Sequence, residues 1–161
     1  MHARYLFCHL CSRELDLARV VSWLAPGGWL MLEEPAEFPI ESSPHTAYRE
    51  TSMGVFTALA ERIGTDCRWP RALHDRLSRV GLVGVEMDVA HSVVGGDRPM
   101  SRFWKLTIDQ LAPALQAIDG ITAAMIDETR ARLSDPDFRD LGMATIAVWG
   151  RRPGVLAQGH A

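Results

Sequence analysis

The sequence predicts an α/β fold in which helices pack against a doubly wound, largely parallel sheet. Four observations point there. The stretch "WLAPGGWLMLEEP", Trp23 to Pro35, reads as a helix end, a tight turn and a strand that finishes on two carboxylates. Four successive apolar residues in that strand suit burial on both faces, as in a parallel sheet flanked by helices. Segments of helical spacing alternate along the chain with segments of strand length. Finally, in a strand of about Leu82 to Val94, Val83, Val85, Met87 and Val89 alternate with Gly84, Glu86, Asp88 and Ala90. One face of that strand is therefore wet, which places it near a sheet edge.

After "MHAR", Tyr5 to Leu10 is apolar, and Ser12 stands as N-cap ahead of Leu15, Ala18, Val21 and Trp23-Leu24 at helical spacing. This helix stops near Ala25, because Pro26 removes a backbone donor and Gly27-Gly28 can take the positive φ that turns the chain. "WLMLEE" follows as the interior strand. "PAEFPIESSPHT", rich in proline and serine, is expected to be a surface connection leaving that strand's carboxyl end, where doubly wound sheets build their sites. A helical pattern then runs from about His45 to Ile63 despite Gly54, and Gly64 ends it. Pro70 opens a helix bearing Leu73, Leu77 and Val80, closed by Gly81. Beyond the 82–94 strand, "GGDRP" is a turn. Met100 to about Ala117 and Ile121 to Leu133 form two more helices, the first interrupted at Pro113. "MATIAVWGRRP" is the last strand, ending at Gly150. Residues 1–153 are read as one domain and 154–161 as a disordered tail.

A chain of 161 residues with 47% apolar and 23% charged content has room for one real core. A formal charge of -3, with Lys and Arg scattered among acids, gives no field for a phosphate backbone, so nucleic acid is not an expected partner. No apolar run reaches membrane-span length, and Met1 opens onto polar His2 and Arg4 without a signal-peptide core, so no membrane is expected and the cytoplasm is the expected compartment. Cys8, Cys11 and Cys67 make an odd count, which fits reduced thiols. "CHLC" with Cys67 and His74 would be a zinc reading. A zinc signal repeats its pair, however, and here Cys8 and Cys11 sit among Leu6, Phe7 and Leu10, where buried thiols are usual, so no metal is expected.

A nucleoside cofactor in such a sheet is normally received by a glycine-rich turn between a strand and a helix, because bare backbone can approach the ligand there. Gly27-Gly28, Gly81 and Gly84 all stand between helix and strand, and Gly95-Gly96 leads to Asp97 and Pro99; none reads as strand, glycines, helix. Yet "HARYLFCHL", "RELDLARVVSWLAPGGWLMLEEP", "LSRVGLVGVEMDV" and "MATIAVWGRRP", taken in order, resemble the carboxyl-terminal half of a class I S-adenosylmethionine-dependent methyltransferase of the small-molecule kind. The resemblance spans nearly the whole chain, and "LAPGGWLMLEE" is its most specific part.

The resemblance implies a partial doubly wound, Rossmann-like sheet made of a remnant of strand four followed by strands five, seven and six, with strand seven antiparallel. The glycine loop and acidic ribose ligand would then lie before Met1, in a truncated or degenerate relative of the enzyme. It further implies that S-adenosylmethionine serves the complete enzyme but is not held tightly by this chain alone. His2, Ala3, Arg4 and Tyr5 would flank the methionine part of the cofactor, the competing reading being a disordered amino terminus. Glu33 and Glu34 end the fifth strand, where either can orient a substrate hydroxyl or amine; a solvated acid or a helix N-terminal partner is the alternative. His45 and Tyr48 would overlie the same crevice in the region that forms the acceptor pocket, or else be surface polar residues. Trp69, Phe103 and Trp104 are pocket or core, and His91 belongs to a strand face. No catalytic base is assigned. The partners expected are a small-molecule acceptor and a second copy, bound as a homodimer through the exposed sheet edge at "WLMLEE". A non-catalytic binding or self-assembly module is the alternative function.

Overall fold

The computed structural model describes residues 1–154, so all but Gly154 of the expected tail lies outside the described residues. Four strands, β1 (His2–Arg4), β2 (Trp29–Ala36), β3 (Val83–Val94) and β4 (Asp140–Arg151), form one mixed sheet in the order β1-β2-β4-β3. β1 runs parallel to β2, and β4 runs antiparallel to both β2 and β3. The carboxyl ends of β1, β2 and β3 consequently share one end of the sheet.

Six helices accompany it: α1 (Arg13–Ser22), α2 (Phe38–Glu41), α3 (Thr46–Ile63), α4 (Leu73–Arg79), α5 (Pro99–Gln116) and α6 (Ala123–Ser134). Leu17 and Val21 of α1 and Leu73 and Leu77 of α4 pack on Leu30 and Leu32 of β2 and Ile146 and Val148 of β4, which makes one face of the sheet the first core. The second core lies among α3, α5 and α6 at the end of the sheet where β2 finishes and β4 begins. Tyr48, Val55, Phe56, Trp104, Ile108, Leu115, Ile126 and Leu133 fill it. Gly54 sits where α3 meets this core. A Cβ there would lie 2.3 Å from Ile121 Cδ1 and 3.1 Å from Leu115 Cδ2, so the residue that weakens the helix locally is the one that lets its neighbours close in.

Several sequence expectations need correction. The first residues are not frayed: the Met1 amino group donates to the Trp29 carbonyl at 2.7 Å, and Met31 N–H donates to the Met1 carbonyl at 3.0 Å. β2 runs on to Ala36, and it is not an edge, because β1 and β4 pair on either side of it. The free edges belong to β1 and β3. Nor is β2 covered on both faces, since Trp29 is half exposed while Leu30 and Leu32 are buried, and Met31 and Glu33 stay partly open. The supposed surface connection after it contains α2 and buries Glu37, Pro39, Ile40 and Ser43. The pull of Ile40 into the second core and of Phe38 toward the first outweighs the turn-forming composition there. Pro113 does not interrupt α5, which passes through it; the proline is exposed near the helix's end, where the carbonyl it leaves unpaired can meet water. No helix of the described residues is long and apolar enough to cross a membrane.

Candidate functional site

The site begins where β1 ends. Tyr5 has φ 52°, the only left-handed non-glycine residue among those described. For a bulky side chain this conformation costs on the order of 1–2 kcal/mol, so something must hold it. Tyr5 N–H donates to the Glu33 carbonyl at 2.8 Å, its hydroxyl pairs with Thr145 Oγ1 at 2.5 Å, and the Arg4 guanidinium lies 5.2 Å from its ring. Immediately after it, a 3₁₀ turn at Phe7–His9 directs its backbone donors at one carboxylate. Leu6 and Phe7 N–H reach Glu34 Oε1 at 3.2 and 2.8 Å, and Cys8 N–H reaches Oε2 at 3.1 Å. Glu34 is fully buried, so it acts as the anchor that fixes the sharp exit from β1.

Arg13 ties the loop after α3 to this exit. Its guanidinium donates to the carbonyls of Leu10 and Gly64 at 2.8 and 2.6 Å and pairs with Asp66 at 3.1 Å. Asp66 N–H in turn donates to the Cys8 carbonyl at 2.8 Å. Between these pinned segments and the helical layer lies an apolar cavity of about 90 Å³. Tyr5, His9 and Pro35 wall it from the strand ends, Val55, Phe56 and Leu59 from α3, Phe103, Trp104 and Thr107 from α5, with Thr65, Cys67 and Met143 closing it. Each helix contributes residues i, i+1 and i+4, one stripe facing one space. His9 Nδ1 pairs with Thr65 Oγ1 at 2.8 Å. Trp104 is buried with Phe56 edge-on at 5.6 Å, and its indole N–H has no hydrogen-bond partner.

A second, open recess of about 340 Å³ shares the Phe56, Thr65 and Cys67 wall and is rimmed by Glu37, Glu61, Asp66 and Arg68. Glu37 is buried at the end of β2 and is paired with the exposed Arg68. In Cys8, a hydrogen bond with Cys67, burial and the Glu34 carboxylate push the thiol's pKa up, so the Cys8 thiol stays protonated. Cys11 lies apart beside Gly64 and His74 pairs with Asp75. Among the described residues no group of three or more His, Cys, Asp or Glu side chains converges on a metal position.

The expected site residues therefore part company. Tyr5 reaches the cavity. Ala3 leans into the first core, while His2 joins Glu33 on the incompletely covered sheet face through Nε2 and Oε2 at 2.7 Å. Glu34 is consumed by backbone donors. Tyr48 is wholly buried, donating its hydroxyl to the Leu141 carbonyl at 2.8 Å and packing edge-on to Phe138, and burial raises its pKa. It is neither over a crevice nor on the surface, because eighteen residues of α3 bring that turn under α6 and β4. His45 caps α3 against Phe138 and Arg132, away from the cavity. Trp69 stacks on Phe7 and donates to Glu14 at 2.8 Å on the opposite layer, whereas Phe103 and Trp104 do line the cavity. His91 lies edge-on to Phe38. Sequence reasoning missed His9, Thr65 and Glu37. His9 was screened as part of "CHLC", and Glu37 was hidden inside a stretch read as loop.

No protein-family profile matches the chain, and no curated protein sequence does. Solved structures do. The putative methyltransferase of Bacillus halodurans is similar over 94% of this chain and 63% of its own, with a TM-score of 0.54 and 12% identity. The phospholethanolamine N-methyltransferase 2 of Haemonchus contortus, solved with phosphomonomethylethanolamine and S-adenosylhomocysteine, is similar over 94% of this chain and 32% of its own, with a TM-score of 0.50 and 12% identity. The chain shares a methyltransferase fold. It spans less than two thirds of either relative.

Does the methyltransferase fold here include a place for the nucleoside of its cofactor? One sequence expectation changes on this point: Gly95-Gly96 does lie between a strand, β3, and a helix, α5. Its donors are already engaged, with Gly95 N–H donating to Ser101 Oγ at 2.7 Å and Gly96 N–H to the Asp135 carbonyl at 2.9 Å. The missing side chain at Gly95 makes room for protein, since a Cβ there would stand 1.8 Å from the Phe138 carbonyl oxygen. The Gly95-Gly96 turn therefore has neither of its backbone donors free to meet a ligand.

Proposed function

We infer that this chain is the carboxyl-terminal part of an S-adenosylmethionine-dependent methyltransferase domain acting on a small-molecule acceptor. In this reading β1, β2, β4 and β3 take the places of strands four, five, seven and six. The observation that carries it is the cavity at the joint carboxyl ends of β1 and β2, walled in part by Tyr5 at its left-handed turn. The order of the sheet, with β4 as its antiparallel member, supports the same assignment. When bound, the cofactor would supply an electrophilic methyl carbon.

This chain's share of the chemistry is position and dryness. Aromatic and aliphatic walls exclude water and fix the acceptor, which is the larger part of what methyl transfer needs. His9 is the proton acceptor for an acceptor atom that must lose one: with Nδ1 held by Thr65, its other ring nitrogen is left for the substrate. The test compares methyl transfer by the 161-residue chain with that of a polypeptide extended upstream in the same frame. Transfer only in the extended protein, reduced about 10²–10⁴-fold by His9→Ala, is the expected result. No transfer by either would remove the reading.

A second reading, a self-assembling module without catalysis, is favoured by one observation. Beside the free edge of β1 lies a recess of about 420 Å³ whose lining includes the exposed Met1, Leu6 and Trp23. A clean monomer by light scattering at high concentration would dispose of it.

A further inference from the structure

The open recess of about 340 Å³ is walled on one side by α3, whose Met53, Phe56, Thr57 and Ala60 form an i, i+3, i+4, i+7 stripe along it. Its volume falls in the range of small-molecule sites, about 300–1,000 Å³. The charged lining is lopsided, with Glu37, Glu61 and Asp66 against one cation, Arg68. Asp66 is committed, through Oδ2 to Arg13 and through Oδ1 to the Arg68 and Trp69 N–H groups. Glu37 differs. It is 6% exposed and its Oε1 accepts from Arg68 Nε–H, while its other carboxylate oxygen meets no donor among the described residues and is reached by solvent. A buried carboxylate needs a cation beside it. The one it has is carried by a side chain that is 75% exposed, which returns to water at little cost. Glu37 and Arg68 also line a smaller recess of about 160 Å³, so their pair stands between the two spaces.

We propose that the larger recess binds a primary amine with a small apolar body, the ammonium replacing the Arg68 guanidinium on Glu37 and the body lying along the α3 stripe. Arg68 is then the ligand's resident competitor: it neutralises Glu37 until an amine enters and swings out when one does. Three acids turn phosphates and carboxylates away, and an alcohol of the same shape brings no charge to a buried carboxylate. The inference concerns binding, goes beyond the methyltransferase reading and does not depend on it.

The test is a titration at neutral pH with phenethylamine, 2-phenylethanol and phenylacetate, probes of one shape and different charge, followed through the Met53 methyl ¹H–¹³C signal, assigned with Met53→Leu. Phenethylamine is expected to shift that signal to saturation. Its preference over 2-phenylethanol should fall about tenfold or more in Glu37→Gln, which keeps the shape and removes the charge. Arg68→Ala removes the competitor and should tighten phenethylamine about threefold or more while leaving 2-phenylethanol unchanged. A Met53 signal indifferent to the amine, equal binding of amine and alcohol, tighter binding of phenylacetate, or an amine affinity unchanged or weakened in Arg68→Ala would overturn the proposal. Should Glu37→Gln fail to fold, the amine-over-alcohol preference of the unmutated protein and of Arg68→Ala, altered at an exposed side chain, decides the matter. Amine binding without methyl transfer in any extended form would sink the functional reading and leave this one standing, and methyl transfer by a protein whose Met53 signal ignores the amine would do the reverse.

Discussion

Replacing Glu34 should unseat the turn on which the candidate site is built. Its carboxylate accepts from Leu6, Phe7 and Cys8, two of these bonds being fully buried, and no other side chain is placed to take them over. A hydrogen bond to a charged group contributes about 1.5–3 kcal/mol, and the contributions of three donors on one acceptor do not add fully. Glu34→Ala should therefore cost about 3–5 kcal/mol, a large share of the 5–15 kcal/mol that holds a typical domain together. For a chain of this size that lowers Tm by about 6–20 °C. Glu34→Gln keeps one acceptor oxygen for Phe7 but turns an amide toward Cys8 N–H, and should cost about 1–3 kcal/mol. Glu33→Ala is the control, since its partner His2 is an exposed residue, and the loss there should stay below about 1 kcal/mol. Thermal and urea unfolding of the three variants measure this. A Tm for Glu34→Ala within about 2 °C of the parent would refute the claim that this carboxylate fixes the exit from β1.

Gly95→Ala should destabilise by about 3–5 kcal/mol in the same unfolding assay, because φ is 114° there and the added carbon meets a backbone carbonyl that cannot swing away. In native protein at pH 8, iodoacetamide should label Cys11 quickly and spare Cys8, whose thiol is buried and pushed up in pKa; all three cysteines should label after denaturation, as read by peptide mass spectrometry. Tyr48→Phe should cost about 1–2 kcal/mol in the same unfolding assay by leaving the Leu141 carbonyl without its donor.

Much of the architecture was legible because local signals and packing agree. "APGG" sits between α1 and β2 as its chemistry requires, Gly64 ends α3 with φ 74°, and the alternation in 83–90 does mark an edge strand. The failures fall where tertiary contacts outweigh composition. "PAEFPI" looks like a loop by its prolines, but Ile40 is drawn into the second core and Pro39 is buried beside it in sequence. Tyr48 looks like a polar residue near the start of a helix, and the approach of α6, Phe138 and β4 buries it. The cavity lies at the carboxyl ends of β1 and β2, and of the residues the sequence singles out only Tyr5, Phe103, Trp104 and Cys67 reach it. A carboxylate at a strand's end can face a ligand or a backbone turn, and Glu34 takes the turn while its neighbour Glu33 takes His2. The stripe of Val55, Phe56 and Leu59 gave a helical signal without saying that a void lies against it, since periodicity reports a buried face and not what fills it.

Under the proposed function these residues wall an acceptor site while the nucleoside of the methyl donor is held elsewhere. Isothermal titration of the 161-residue chain with S-adenosylhomocysteine tests it most directly. The prediction is no stoichiometric complex in the micromolar range; a one-to-one micromolar complex would contradict it.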